Sequence, residues 1–144
     1  MRLLIINGPN LNMLGIREPE LYGKQDYKAL VEFCMQVCEE NGFECKIYQS
    51  NHEGDLVDKI QGAYGVVDGI IINAAAYTHT SVAILDALKA VGLPAVEVHL
   101  TDIGAREDFR KLSYPGMACI KTFAGFGFEG YAMAVRELKE VLSK

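Results

Sequence analysis

Glu97 and His99 are the two residues best suited to acid–base chemistry. They lie two positions apart in the apolar run PAVEVHL (94–100), so on a β-strand both side chains project from the same face. A carboxylate beside an imidazole selects its tautomer and raises its pKa, which keeps a proton available for donation. The alternative is that the two side chains only satisfy each other's hydrogen-bonding groups at the end of a strand. We favour a catalytic pair, because open α/β sheets bind ligands at the carboxyl ends of their strands.

Arg17 and Tyr22 are candidates for a base. They lie in the long polar segment NGPNLNMLGIREPELYGK (7–24), which follows the first apolar run of the chain. A tyrosine has a pKa of about 10 and is a poor base at neutral pH, but a nearby guanidinium lowers that pKa by about one to three units. We interpret the segment as a lid that assembles the base when it closes over a ligand. The alternative is a flap whose tyrosine only packs.

Arg106 and Arg110 are candidates for binding an anion. They are four residues apart in AREDFR (105–110), so on a helix they would share a face and repel each other unless an anion lay between them. The alternative is a solvated face on which Glu107 and Asp108 are the local partners of the two arginines. The pattern alone does not decide between these interpretations.

The stretch THTS (78–81) predicts the start of a helix, with Thr78 as its N-cap and His79 at its positive end. A helix N-terminus lowers the proton affinity of an imidazole, so we expect His79 to be a neutral hydrogen-bonding group. The alternative is a structural histidine, and the polar neighbours of His79 favour the binding role.

Short apolar runs alternate with amphipathic helical patterns along the chain. Strands that alternate with helices pair in parallel through crossover connections. We therefore predict an α/β fold: a flavodoxin-like, doubly wound, five-stranded parallel sheet of order 2-1-3-4-5, in a single domain spanning residues 1–144. The predicted strands are 2–7, 43–49, 67–73, 94–100 and 117–125, and the predicted helices are 26–42, 53–65, 79–92 and 129–144.

This topology predicts where a ligand binds. The crevice should lie beyond the carboxyl ends of the strands, at the point between strands one and three where the strand order reverses. The segments that reach this edge carry amide, imidazole and guanidinium groups, which suit a small anionic ligand that is rich in hydroxyls. The segments that reach this edge carry Asn10, Asn12, Arg17, Tyr22, Asn73, His79, His99, Arg106 and Arg110.

Composition and charge exclude several other classes of function. The formal net charge is −5, whereas nucleic acid attracts basic surfaces. Apolar runs such as LLII and GIII are too short to span a membrane. The first residues lack the basic-then-apolar layout of a secretory signal, so we expect a cytoplasmic protein.

The cysteines suggest packing rather than metal binding. Cys34 and Cys38 would share a helix face and could suggest a metal pair. Zinc sites supply further Cys or His at regular spacing, and none follows here. We expect buried reduced thiols.

Five motifs together resemble the type II 3-dehydroquinate dehydratases (type II dehydroquinases). They are NGPNLNMLGIREPELYG, QSNHEGDLVDKI, THTSVAILDAL, VEVHL and AREDFRKLSY, in that order along essentially the whole chain. The resemblance implies a flavodoxin-like fold and the dehydration of 3-dehydroquinate to 3-dehydroshikimate, without metal or organic cofactor. It places this reaction in the shikimate pathway or in quinate catabolism.

The resemblance also implies a set of catalytic residues. Tyr22 would be the base that takes a proton from the carbon next to the ketone, and Arg17 would stabilise its phenolate. A water held by Asn12 would stabilise the enolate oxygen. His99 would be the general acid that protonates the departing hydroxyl, with Glu97 orienting it.

Substrate binding is implied for a further set of residues. Their hydrogen-bonding groups would hold the substrate's hydroxyls and carboxylate, and one of them would reach into the site of a neighbouring subunit in a dodecamer built from trimers. The hydroxyls are assigned to Asn73, His79 and Arg110, the carboxylate to the backbone amides of Leu100 and Thr101, the positive field around Tyr22 to Arg106, and the contact with the neighbouring subunit to Asp86.

The chain departs from the family pattern at a few positions. Asp102 in HLTD stands where the family commonly has Asn, and either weakens binding of the carboxylate or turns away into a hydrogen bond. Ala74 and Ala75 stand where Pro or Gly is frequent, and Gly104 and Leu112 where His is common. Two other functions stay open. One is a flavin or nucleotide binder, although the first loop lacks a compact phosphate cradle; the other is a non-catalytic scaffold.

Overall fold

The computed structural model describes residues 1–16 and 25–144. Its five strands form one parallel sheet of order β2-β1-β3-β4-β5, which confirms the predicted topology. The strands are β1 (Arg2–Asn7), β2 (Glu44–Gln49), β3 (Gly69–Asn73), β4 (Ala95–His99) and β5 (Lys121–Ala124), and the helices are α1 (Tyr27–Glu40), α2 (Glu53–Ala63), α3 (Val82–Val91) and α4 (Glu129–Leu142).

The sheet has an apolar core on each face because its central strands alternate their side chains between the two faces. Ile71 of β3 packs into the core beneath α1 and α4, where Tyr131 and Leu138 lie. Its neighbours Ile70 and Ile72 point to the opposite core, beneath α2 and α3. Burial of each such side chain contributes about 1.5–3 kcal/mol. Both faces are therefore covered, as the continuous apolar run of β3 predicted.

The start of α3 differs from the prediction. Ser81 is its N-cap, since the Oγ accepts a hydrogen bond from the backbone N–H of Ile84 at 3.0 Å. Thr78 is buried within a separate 3-10 turn, Ala75–His79, which ends before the α-helix begins. The prediction that Thr78 caps this helix was wrong, and His79 does not lie in the first turn of α3.

The segment after β4 is also not the helix that the arginine spacing suggested. It contains two 3-10 turns, Ile103–Ala105 and Asp108–Arg110, separated by Arg106 in an extended conformation (φ −99°, ψ −168°). Each turn closes on its own backbone hydrogen bonds, so Arg106 and Arg110 share no helix face. Likewise β5 begins later than expected, because Pro115–Ala118 forms another 3-10 turn before it.

Cys34 and Cys38 are fully buried in the core beneath α1, as predicted. Burial raises the pKa of the Cys34 thiol to about 12, so the group stays neutral. In the described part of the chain, no cluster of His, Cys, Asp and Glu could hold a metal ion. Within the same residues, every helix falls short of the length and apolar character needed to cross a membrane.

Candidate active site

A cavity of about 500 Å³ lies beyond the carboxyl ends of β1, β3 and β4. It occupies the place predicted from the topology, because β1 and β3 are the strands at which the order reverses. Its lining combines apolar residues with amides, imidazoles and guanidinium groups. The lining residues are Pro9, Asn10, Leu11 and Leu14 after β1, Asn73, Ala75, Ala76 and His79 at β3, and His99, Leu100, Thr101, Ile103, Arg106 and Arg110 at β4.

The structure brings most of the described candidates to this cavity. Those that line it are Asn10, Asn73, His79, His99, Leu100, Thr101, Arg106 and Arg110.

Three other candidates lie elsewhere, and two are not described. Glu97 is buried directly behind His99. Asn12 is exposed beside the cavity, and its Oδ1 accepts a hydrogen bond from Gln49 Nε2 at 3.3 Å. Asp86 is exposed on α3, away from the cavity lining. The proposed base and its guanidinium partner, Tyr22 and Arg17, lie outside the described residues.

Glu97 and His99 form a buried carboxylate–imidazole pair at the end of β4. The side chains are 2% and 6% exposed, and Glu97 Oε2 lies 3.0 Å from His99 Nε2. The N–H of Nε2 is not aligned for a directed hydrogen bond, so the contact is mainly electrostatic. Since Nε2 is turned toward Glu97, Nδ1 is the nitrogen that His99 can present to the cavity.

The environment of Glu97 keeps its carboxylate ionised. Burial alone would raise the pKa, but His99 and the hydroxyls of Ser113 and Thr122 outweigh burial and lower it below the usual value. Thr122 Oγ1 donates to Oε1 at 2.8 Å, and Ser113 Oγ donates to Oε2. An ionised carboxylate at this position stabilises a protonated imidazole.

Asn73 is fixed at the floor of the cavity. Its Oδ1 accepts a hydrogen bond from the backbone N–H of Ala75 at 3.1 Å, and its Nδ2 donates to Tyr131 Oη at 3.1 Å. Tyr131 is fully buried and in turn donates to Asn7 Oδ1 at 2.6 Å. Burial raises the pKa of Tyr131, so its hydroxyl stays neutral. The second amide hydrogen of Asn73 meets no acceptor among the described residues, so it can donate to a ligand.

His79 has a defined tautomer. Its Nδ1 lies 2.8 Å from the backbone carbonyl of Leu112. A carbonyl only accepts hydrogen bonds, so Nδ1 carries the hydrogen and Nε2 of the neutral ring is an acceptor. In its neutral form the ring thus offers an acceptor for a hydroxyl at the cavity wall.

The two arginines share the cavity, and one of them also has a local partner. Arg110 Nε lies 2.8 Å from Glu107 Oε2, while Lys111 is the partner of Asp108. Arg106 is exposed at the rim. The local-partner interpretation is therefore confirmed for Glu107 and wrong for Asp108, while anion binding by the two arginines stays a prediction.

Comparison with known proteins decides the family. A family model described as dehydroquinase class II matches residues 1–139. A 3-dehydroquinate dehydratase of Clostridium acetobutylicum is 49% identical over 144 residues, covering all of both chains. One of Caldicellulosiruptor bescii is 50% identical over 142 residues, which is 98% of each chain. The chain belongs to the class II dehydroquinase family.

Solved structures of dehydroquinases have the same fold. The type II dehydroquinase of Butyrivibrio crossotus superposes with a TM-score of 0.92 at 47% identity, over 96% of this chain and 97% of that one. That of Propionibacterium acnes has a TM-score of 0.88 at 32% identity, over 96% and 98%. The flavodoxin-like prediction is confirmed.

Two of the departures from the dehydroquinase pattern have visible local consequences. Asp102 is exposed and turned away from the cavity lining, because its Oδ1 accepts a hydrogen bond from the backbone N–H of Gly104 at 2.9 Å. Ala75 has a positive φ of 52°, a conformation that favours glycine. Asp102 therefore does not line the cavity, whereas Ala75 holds a strained backbone conformation at the cavity wall.

Sequence reasoning missed four residues that support this dehydroquinase site. Asn7 and Tyr131 hold Asn73, and Ser113 and Thr122 hold Glu97. A signal for Asn7 was present, because LLIIN (3–7) and GIIIN (69–73) both end in Asn where a strand reaches the ligand edge. The partners of Glu97 gave no comparable signal, since one lies in a turn and the other on the edge strand.

Proposed function

We propose that this chain, as a single domain of residues 1–144, dehydrates 3-dehydroquinate to 3-dehydroshikimate by anti elimination through an enolate. Relatives that are 49% and 50% identical in sequence are named 3-dehydroquinate dehydratases. The observation that carries the proposal is the buried Glu97–His99 pair beneath a cavity with a cationic rim. That arrangement suits an acid acting on a bound anion.

His99 is the general acid of the second step. Hydroxide is a poor leaving group at neutral pH, so its oxygen must receive a proton as the carbon–oxygen bond breaks. Nδ1 of the imidazolium gives that proton, the hydroxyl departs as water, and the enolate electrons form the new carbon–carbon double bond. The ionised Glu97 on the opposite edge of the ring stabilises the imidazolium before transfer.

Tyr22 is the base of the first step. Its phenolate, stabilised by Arg17, takes a proton from the carbon next to the ketone, and the electron pair moves onto the ketone oxygen. A water held by Asn12 donates to that oxygen, because developing charge must meet a donor already in place. Asn12 lies beside the cavity, held by Gln49, which supports this role.

Hydrogen-bonding groups on both walls of the cavity hold the substrate. The backbone N–H groups of Leu100 and Thr101 bind its carboxylate, and neither donates to another described residue. Asn73 donates to a substrate hydroxyl, and Nε2 of His79 accepts from one. Arg110 contributes a further hydrogen bond to the substrate.

Two groups complete the proposed site. Arg106 adds positive potential around Tyr22. Asp86, exposed on α3, reaches the site of a neighbouring subunit in a dodecamer built from trimers. Light scattering of the purified protein tests this assembly, and a monomer would leave Asp86 without its proposed role.

The reaction requires neither metal nor organic cofactor, because the base, the acid and the oxyanion donors are all protein groups or water. We place the protein in the cytoplasm, acting in the shikimate pathway or in quinate catabolism.

A direct assay tests the proposal. Purified protein with 3-dehydroquinate and a chelator should produce a conjugated enone, detected by its ultraviolet absorbance. Tyr22→Phe should abolish turnover with the fold intact, whereas Tyr64→Phe, at a site 71% exposed, should leave it unchanged. No absorbance change at any pH would overturn the proposed reaction. Tight flavin binding without turnover would instead favour a flavin-binding protein.

A further inference from the structure

The carboxylate of Glu97 has two hydroxyl donors that come from other parts of the chain. Thr122 lies beside Glu97 in the register of β4 and β5, and its Oγ1 donates to Oε1 at 2.8 Å. Ser113, in the connection before β5, donates to Oε2, which is the oxygen that faces His99 Nε2. Each oxygen of the carboxylate therefore has its own donor.

The remaining surroundings of Glu97 confine the carboxylate without supplying charge. Gly116 closes over it so tightly that a Cβ there would lie 2.7 Å from Oε1. Cys119 faces Glu97 as a neutral thiol, since burial raises its pKa to about 12 and the Glu97 charge adds to that effect. On β3, the neighbour of Glu97 is the apolar Ile72. Among the described residues, the imidazole of His99 is thus the basic group that faces this carboxylate.

Neither hydroxyl is needed to build the sheet. Thr122 is on the edge strand and exposed as a residue, so water could satisfy its hydroxyl. Ser113 is half-buried in a loop, where its Oγ also accepts a hydrogen bond from the backbone N–H of Gly116 at 3.0 Å. Both donate instead to one buried acceptor. Hydrogen bonds to an ionised acceptor are about twice as strong as those between neutral groups, and they fix the rotation of the carboxylate.

We propose that Ser113 and Thr122 are positioning residues for the acid step, which hold the Glu97 carboxylate ionised and turned toward Nε2 of His99. This inference rests on the proposed function for its kinetic consequence. Without these donors the carboxylate rotates and takes up a proton at higher pH. His99 then loses the carboxylate that orients it toward the leaving hydroxyl.

Kinetics of paired variants test this assignment. Thr122→Val removes the hydroxyl and keeps the shape, and should lower kcat on the order of tenfold with KM within about twofold, since the acid acts after substrate binds. In the kcat–pH profile of Thr122→Val, the acidic limb should move to higher pH. Thr122→Ser should restore most of the lost kcat. Ser113→Ala should act in the same direction, and Ser143→Ala, exposed at the end of α4, is the neutral control.

A double-mutant cycle separates positioning from a general structural role. In a Glu97→Gln background, Thr122→Val should cause little further loss of kcat, because the group that it positions is already gone. Equal losses in both backgrounds, or an unchanged kcat and pH profile in Thr122→Val, would overturn the proposal.

A titration that needs no turnover distinguishes this proposal from the proposed function. The carboxyl carbon of Glu97, assigned by its absence in Glu97→Gln, can be followed by ¹³C NMR against pH. Its midpoint should be higher in Thr122→Val and Ser113→Ala than in the parent protein. An unchanged midpoint contradicts the positioning role even if the enzyme is active, whereas an inactive parent with a raised midpoint in the variants contradicts only the reaction.

Discussion

Asn7 and Asn73 end neighbouring strands in register, and the hydroxyl of Tyr131 joins their side chains. It donates to Asn7 Oδ1 at 2.6 Å and accepts from Asn73 Nδ2 at 3.1 Å. Tyr131 comes from α4, far along the chain, so the C-terminal helix reaches the floor of the cavity. Because all three residues are buried, the orientation of the Asn73 amide is set by the core rather than by solvent.

Tyr131→Phe should therefore weaken both stability and substrate binding. The change leaves Asn7 Oδ1 without its donor and Asn73 Nδ2 without its acceptor, at a cost of about 1–3 kcal/mol in the free energy of unfolding. A misoriented Asn73 should also raise KM. Urea unfolding and steady-state kinetics measure the two effects, with the exposed Tyr64→Phe as control. Unchanged values for both would show that the hydroxyl is dispensable.

The ionisation of Glu97 predicts a dependence of stability on pH. Its pKa in the folded protein lies below its unfolded value of about 4.3. The ionised carboxylate thus contributes stability that is fully present above the unfolded pKa and is lost as pH falls through the folded pKa. The free energy of unfolding of the parent minus that of Glu97→Gln should decrease below about pH 4.3.

Urea unfolding at several pH values measures this difference, and the exposed Glu32→Gln is the comparison. If the parent and Glu97→Gln lost stability in parallel as the pH fell, Glu97 would have no part in acid sensitivity.

Gly116→Ala should impair the acid without affecting distant parts of the fold. The added Cβ would lie 2.7 Å from Glu97 Oε1 and 2.9 Å from Ser113 Oγ, so the carboxylate or the turn must move. We expect kcat to fall on the order of tenfold, as for loss of one directed contact to the pair. A wild-type kcat in this variant would mean that the turn relaxes without disturbing Glu97.

Gly62→Ala is the matched control for this substitution. It lies within α2, and a Cβ there meets nothing within 4 Å. Alanine in a helix interior is favoured over glycine, so this variant should gain about 0.5–1 kcal/mol of stability and keep its kcat.

Ala75→Gly should relieve strain at the cavity wall. Ala75 has φ 52°, and this conformation costs a non-glycine residue about 1–2 kcal/mol of stability. Glycine would remove that cost, but it loses more backbone entropy on folding, so only part of the free energy is gained. We expect the free energy of unfolding to rise by up to about 1 kcal/mol. Ala76→Gly, at an adjacent residue without a positive φ, should lower it instead. The same sign for both variants in thermal or urea unfolding would rule out strain at Ala75.

The amino-acid sequence was sufficient for the order of the strands and for much of the cavity lining. Strands that alternate with helices allow few topologies, because crossover connections have one hand and parallel strands end at one edge. The same periodicity placed Glu97 and His99 on one face of β4, and their contact confirms it. Local turn geometry was less predictable. The 3-10 turns at His79 and around Arg106 depend on which backbone groups pair with each other, and residue spacing does not specify this.

Only the tertiary structure decided which groups support the site residues. Tyr131 and Asn7 are 124 residues apart, and Thr122 is 25 residues from Glu97. Strand register and the packing of α4 bring these pairs within hydrogen-bonding distance. The sequence determined where polar groups gather, since alternation of apolar and polar residues is a local property. It did not determine how each buried polar group is satisfied, because a hydrogen bond needs a distance and a direction that exist only after the chain has folded.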